Sequence, residues 1–132
     1  MSDRTSEAAR QWLARAAIDW SSVEIPAGHE QCPRAAVCFH CQQNVEKLLK
    51  ALLTLLAIEA PRTHDLRRLV QLAAAKCPQW LALSDRGDLL TDHAVQSRYP
   101  DEWREIELAE MNEMIPLAEE FAAVLITKLG EG

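Results

Sequence analysis

The sequence predicts an all-α fold, an up-and-down four-helix bundle with a short additional helix. Apolar residues recur with the period of an α-helix along most of the chain, and no alternating Val/Ile/Thr pattern bounded by tight turns indicates a strand. Hydrophobic residues make up 48% of the 132-residue chain but aromatic residues only 5%, which is typical of a core built from Ala, Leu, Val and Ile. This length suits one domain over residues 1–132, with a single core.

The clearest helix runs from about Arg34 to Ile58, and the rest of the chain is expected to pack around it. No Gly or Pro occurs between Ala35 and Ala60. Pro61 is expected to end the helix, because the residue before a proline is displaced from helical geometry. The apolar side chains fall within one broad arc, so this helix should lie buried in the middle of the bundle. The arc contains Cys38, Cys41, Val45, Leu48, Leu49, Leu52 and Leu56.

The other helices are predicted on both sides of this central one. A loop over Glu24–Pro33 precedes the central helix, and Thr63 is expected to cap the helix that follows it. Pro116 lies inside the last helical pattern and predicts a kink or a broken hydrogen bond there. In chain order the predicted segments run from about Thr5 to Ser22, from His64 to Lys76, over a short turn at Gln79–Leu81, from Asp85 to Ser97, and from Glu107 to Leu129.

The charge pattern argues against a long nucleic-acid duplex as the partner. The formal net charge is −6, so the molecule as a whole repels polyanions. A local group of cations is nevertheless present, and it suits a nucleotide or a confined RNA contact; the alternative is a solvated charged face. The group consists of Lys47, Lys50, Arg62, Arg67 and Arg68.

Cellular location and metal binding can also be predicted. The N-terminus lacks the apolar region of a secretory signal, and no run of about 18 apolar residues predicts a membrane span, so we expect a cytoplasmic protein with reduced cysteines. Cys38 and Cys41 share the apolar arc of the central helix, whereas His40 points roughly 200° away from Cys38. We therefore interpret the thiols as small buried side chains, and predict no metal site and no cofactor.

Three motifs in order identify a family resemblance. They are FHCQQNVEKLLKALL (Phe39–Leu53), PRTHDL (Pro61–Leu66) and RYPD (Arg98–Asp101), and the helix around WLARAAIDW (Trp12–Trp20) fits the same pattern. Together they resemble the HEPN family of small helical domains, over roughly residues 8–127. The resemblance implies a four-helix core plus a short helix, frequent two-fold pairing, and a role that ranges from ribonuclease or toxin to nucleotide-binding accessory subunit.

Ribonuclease members of that family carry an Arg and a His with four to six residues between them. Two pairs match here, Arg34 with His40 and Arg86 with His93, but about one match is expected by chance from the number of arginines and histidines. Arg86 and His93 are the better candidates for catalysis, because His40 belongs to the FHCQQ element. In toxin members a tyrosine follows the motif closely. Here Ala and Val follow His93, and the only tyrosine is Tyr99.

A polar stripe on the central helix is the best candidate binding surface. Its members recur on one face of a helix that is otherwise apolar, and the PRTHDL and RYPD elements add further polar groups. Lys and Arg can pair with phosphate, and Tyr or His can stack on a base. The alternative is that His64 and Asp65 only cap the next helix. The candidate ligand-binding residues are His40, Gln43, Lys47, Lys50, Arg62, His64, Asp65, Arg98 and Tyr99.

These observations lead to three hypotheses. The preferred one is a non-enzymatic homodimer that binds a nucleotide or an RNA end and works beside a separately encoded minimal nucleotidyltransferase. The first alternative is a metal-independent endoribonuclease toxin that uses Arg86 and His93. The second alternative is a protein-interaction module without a ligand, in which tryptophans contribute to an interface.

Overall fold

The computed structural model describes the backbone of residues 3–94 and 105–131, and the side chains of residues 7–91 and 105–128. It confirms the all-α prediction, because these ranges contain five α-helices and a short 3₁₀ helix but no strand. None of the described helices is long and apolar enough to cross a membrane. The elements are α1 (Asp3–Ala27), α2 (Arg34–Leu55), α3 (Leu66–Ala74), the 3₁₀ helix (Pro78–Leu83), α4 (Ser84–Ala94) and α5 (Leu108–Glu131).

Helix α2 is the centre of the fold, as its broad apolar arc predicts. It packs against α1, α3, α4 and α5. Val45, Leu49 and Leu53 on α2 are fully buried, together with Leu69 from α3 and Phe121 from α5. Burial of each such side chain contributes about 1.5–3 kcal/mol, so this contact surface is the main source of stability.

The first helix extends further than predicted at both ends. It begins at Asp3 and continues to Ala27, through Glu24, Ile25 and Pro26, which the sequence assigned to a loop. Pro26 is the last residue but one of this helix, so its missing N–H and the crowding by its ring disturb only the final turn. The loop prediction is thus confined to the residues after Ala27, where successive turns lead into α2.

Helix α2 ends at Leu55, before Pro61, and backbone hydrogen bonds rather than the proline end it. The N–H of Ala57 donates to the carbonyl of Thr54 at 3.1 Å, and the N–H of Ile58 donates to that of Leu53 at 2.9 Å. This is a Schellman motif, with Ala57 in the left-handed region at φ 59°. The side chain of Lys76 donates to the carbonyl of Leu56 and satisfies a further group at this helix end.

Asp65, and not Thr63, is the N-cap of α3. Its Oδ1 accepts hydrogen bonds from the backbone N–H groups of Arg67 at 3.1 Å and Arg68 at 3.4 Å. Thr63 instead accepts the N–H of Asp65 through Oγ1 at 3.1 Å. The predicted capping role of Asp65 is therefore confirmed, and the cap that was assigned to Thr63 is corrected by two residues.

Close packing accounts for the glycine in α4. A Cβ atom added at Gly87 would lie 3.1 Å from the Cβ of Leu66 at the start of α3, so the small residue allows the two helices to approach. Helix α5 continues through Pro116, which is exposed. The carbonyl of Asn112 loses its helical donor there, but it lies on the solvent side of the helix, where water can replace that donor.

The left-handed residue at the end of α2 generates a stability prediction. Replacing Ala57 with Gly should raise the free energy of unfolding by about 0.5–1 kcal/mol. An L-residue in this region costs about 1–2 kcal/mol, and the greater conformational entropy of Gly in the unfolded chain offsets part of the stabilisation gained by removing that cost. Urea unfolding followed by circular dichroism measures the change. The control is Ala75→Gly, at an exposed residue with φ −59°, which should destabilise the protein or leave it unchanged.

Candidate functional site

A buried carboxylate from α1 occupies one part of the predicted polar stripe. The side chain of Asp19 is 8% exposed and accepts a hydrogen bond from His40 Nδ1 at 2.8 Å. It also forms an ion pair with Lys47 through its other oxygen. Because a carboxylate is only an acceptor, His40 carries its proton on Nδ1 in this contact. Two members of the stripe therefore contact Asp19 on α1.

A second carboxylate, Glu46, organises the other end of the stripe. Its side chain is 4% exposed and contacts His64 Nδ1 at 2.7 Å and Lys50 Nζ at 3.1 Å. Lys50 is itself buried and lies 5.4 Å from the centre of the Trp12 ring, a cation–π arrangement. The predicted surface position of Lys50 is thus corrected, because α1 covers this side chain and Glu46 pairs with its charge.

Two glutamines join the stripe to the turn after α2. Gln43 Nε2 donates to Gln42 Oε1 at 2.8 Å, with Glu46 Oε1 at 3.5 Å. Gln42 Nε2 donates to the backbone carbonyl of His64 at 2.6 Å. His64 is consequently held twice, through its backbone by Gln42 and through its ring by Glu46. This tethering fixes the PRTHDL turn against α2.

The turn still presents positive charge to solvent. Arg62 and Arg68 are exposed, and their guanidinium groups have no hydrogen-bond or ion-pair partner among the described residues. The side chain of His64 between them is 72% exposed. Arg67 differs, because it is bound by Asp85 and Asp88 on α4, each at 2.7 Å, and this guanidinium lowers the pKa of Asp88. The cations available for a ligand are therefore Arg62 and Arg68.

Helix α1 adds an aromatic group, Trp12, that was not predicted to belong to the site. The half-buried Trp12 ring has Lys50 on it and also Arg15, whose guanidinium carbon lies 5.7 Å from the ring centre. A chain of contacts then runs from Trp12 through Lys50 and Glu46 to His64. Nothing in the local sequence marks Trp12, because its place in the site depends on how α1 packs on α2.

The candidate catalytic pair is only partly described. Arg86 forms an ion pair with Glu120 on α5 at 3.0 Å. His93 belongs to the same helix, and a separation of seven residues places the two positions on the same side of α4. The side chain of His93 lies outside the described residues, as do Arg98 and Tyr99. The other matching arginine, Arg34, donates to the carbonyl of Ile106 at 3.2 Å and joins α2 to the start of α5.

The cysteines are buried thiols, as predicted. Cys38, Cys41 and Cys77 are buried and Cys32 is half-buried, and none of the four forms a disulfide. Burial, together with the nearby Cys38 and Glu119, raises the pKa of Cys41 to about 12. Such a thiol remains protonated and is a poor metal ligand. Within the described part of the chain, no group of three or more His, Cys, Asp or Glu side chains has an arrangement that could hold a metal ion.

The Glu46 network predicts a large effect of one conservative substitution. Glu46→Gln should lower the free energy of unfolding by about 3 kcal/mol, because it leaves Lys50 buried without a counter-charge. Chemical unfolding of both proteins measures the difference. Glu119→Gln is the matched control, because Glu119 is exposed and its replacement should change stability by no more than about 0.5 kcal/mol. Equal effects of the two substitutions would contradict the role given to Glu46.

Comparison with known proteins agrees with this architecture. The HEPN domain model matches residues 9–129, which is nearly the whole chain. Neither the curated proteins nor the solved structures contain a significant match to the sequence. The family match spans the central helix, the tethered turn and the last helix together. The chain therefore belongs to the HEPN domain family.

Proposed function

We propose that this HEPN protein is a non-catalytic subunit that binds the phosphate of a nucleotide or an RNA end at the turn between α2 and α3. The observation that supports this function best is the exposure of Arg62 and Arg68, which precede and follow His64 in the chain and whose guanidinium groups have no partner among the described residues. Guanidinium groups bind phosphate oxygens through paired hydrogen bonds, and an imidazole can donate to phosphate or stack on a base.

The site is preorganised for this purpose. Glu46 and Gln42 hold His64 from the side of α2, so the turn is already ordered before a ligand binds. Arg62 precedes this anchored residue by two positions, and Arg68 follows the Asp65 cap on the first turn of α3. Preorganisation lowers the entropic cost of binding, which supports specific recognition by a small number of cations.

The stripe on α2 has a different role in this proposal. His40 and Lys47 pair with Asp19, while Gln43 and Lys50 contact Glu46. A ligand that used them directly would have to break these contacts. We therefore propose that the stripe supports the turn from below, and that the ligand contacts Arg62, His64 and Arg68.

The partners in this proposal are suggested by the resemblance to the HEPN family, and no contact among the described residues bears on them. We propose that the protein forms a homodimer and acts beside a separately encoded minimal nucleotidyltransferase, to which it would present the bound nucleotide or RNA end. An acidic body with a small basic turn fits this role, because the net charge of −6 disfavours extended contact with RNA and leaves only local phosphate binding.

The turn predicts a specific loss of binding. Arg62→Ala with Arg68→Ala should weaken the binding of ATP or a 5′-phosphorylated oligoribonucleotide at least about tenfold, because hydrogen bonds to charged groups contribute about 1.5–3 kcal/mol each. Isothermal calorimetry at fixed salt measures the affinity. The control, Arg86→Ala with Lys128→Ala, removes the same charge on α4 and α5 and should bind normally. Equal losses in both variants, or no binding by the unsubstituted protein, would refute the proposed site.

An RNA cleavage assay separates the proposed function from the ribonuclease alternative. We expect no metal-independent cleavage by the unsubstituted protein, and the same result for His93→Ala, because Arg86 is already paired with Glu120. The assay follows a labelled RNA in the presence of a chelator on a denaturing gel. Cleavage that disappears in His93→Ala would establish the endoribonuclease alternative instead.

A further inference from the structure

The outer side of α1 carries an apolar stripe that nothing in the described chain covers. Ile18 is 68% exposed and Ile25 is 71% exposed, and their spacing of seven residues places both on one face of the helix. Ala14 and Ser21 lie on the same face, since the four positions recur at intervals of four, three and four residues. We call these four residues the α1 stripe.

The serines next to the two isoleucines do not make this face polar. Ser21 Oγ donates to the carbonyl of Ala17 at 3.2 Å, and Ser22 Oγ donates to that of Ile18 at 3.3 Å. Both hydroxyl groups thus already have acceptors within α1. A partner that covered these hydroxyl groups would therefore leave no donor without an acceptor. Burial of the α1 stripe should carry only a small free-energy cost for desolvating polar groups.

The apolar surface continues from the α1 stripe into a groove. Helices α1 and α5 both pack on α2, but they make almost no direct contact with each other among the described residues, and a cavity of about 510 Å³ separates them. Trp20 on α1 and Ala122, Ala123 and Ile126 on α5 line it, and Ile126 is 60% exposed. The bundle is therefore open on the side next to the α1 stripe.

We propose that a second copy of this chain covers this face, with the two α1 helices packed antiparallel through the α1 stripe. Self-pairing of the four positions places Ile25 of one copy opposite Ala14 of the other, and Ile18 opposite Ser21. Each large side chain then meets a small one. The flanking positions place Arg15 opposite Ser22 and Glu24 opposite Ala17, so no like charges face each other.

The size of the face suits a stable dimer. Helix α1 has 25 residues and is therefore about 37 Å long, and two adjacent helices present a width of about 20 Å. The resulting footprint approaches the roughly 800 Å² per partner that stable complexes bury. The α1 stripe alone would be too narrow, so the interface includes the α5 side of the groove. This proposal gives the homodimer of the proposed function a surface and an orientation, and it does not depend on phosphate binding.

Cysteine cross-linking tests the orientation. Ala14 and Ile25 are eleven residues apart in one helix, about 16 Å, which exceeds the reach of a disulfide. Ala14→Cys with Ile25→Cys should therefore give a covalent dimer on mild oxidation, whereas either substitution alone should not. The unsubstituted chain is the background control, because its cysteines are buried or half-buried. Cross-linking of Ile25→Cys alone would indicate parallel helices and would overturn the proposal.

Light scattering on the full chain tests the surface itself. The unsubstituted protein should have twice its chain mass of 14.8 kDa, and Ile18→Glu with Ile25→Glu should raise the dimer dissociation constant at least about 100-fold without loss of helix content. Leu81→Glu with Leu108→Glu is the control, because these leucines are 54% and 51% exposed elsewhere. A monomeric unsubstituted protein, or a dimer that survives the α1 substitutions, would overturn the proposal.

Discussion

The structure depends on the neutralisation of two carboxylates, Asp19 and Glu46, inside a helical bundle. A buried carboxylate is tolerated only when cations and hydrogen-bond donors surround it. Asp19 obtains these from His40 and Lys47 and so ties α1 to α2. Glu46 obtains them from Lys50 and His64 and so ties the turn after α2 to the same helix. The polar groups of α2 thereby fix the register of its neighbours, while the leucines provide most of the stabilising burial.

This arrangement determines which charges remain for function. Lys47 and Lys50, which the sequence suggests as a basic surface, form ion pairs with the buried carboxylates. Arg67 joins α3 to α4 through its ion pairs with the two aspartates of α4. On an acidic protein, the guanidinium groups of Arg62 and Arg68, which have no partner among the described residues, are then a local source of positive potential at the turn that carries the anchored His64. A small anion can be attracted there without a generally basic surface. The same logic favours a confined phosphate contact over extended nucleic-acid binding.

The fold was predictable from the sequence because helical periodicity is a local property. The apolar arc of α2 can be recognised within a few residues. The errors lie at helix ends, where α1 continues through Pro26, the cap of α3 is Asp65 and not Thr63, and the Ala57 motif replaces a proline as the stop signal. The site was less predictable, because the partner of Lys47 lies on another helix, 28 residues away. Glu46 was not predicted as part of the site, although its spacing of four residues from Lys50 is a local signal of an intrahelical ion pair.

Helix α1 contributes to both proposed surfaces. One side of the helix contacts the polar groups that support the phosphate-binding turn, and the opposite side carries the α1 stripe. Its inner side supplies Trp12 and Asp19 to the polar contacts with α2, and its outer side carries Ile18 and Ile25. Since α1 is held among the described residues almost entirely by α2, a second copy packed on its outer side would add the support that α5 does not provide. Dimer formation would then steady Trp12 over Lys50 and, through Glu46, the ring of His64. Self-association and phosphate binding are thus expected to favour each other, through contacts that begin on α1 and end at the turn.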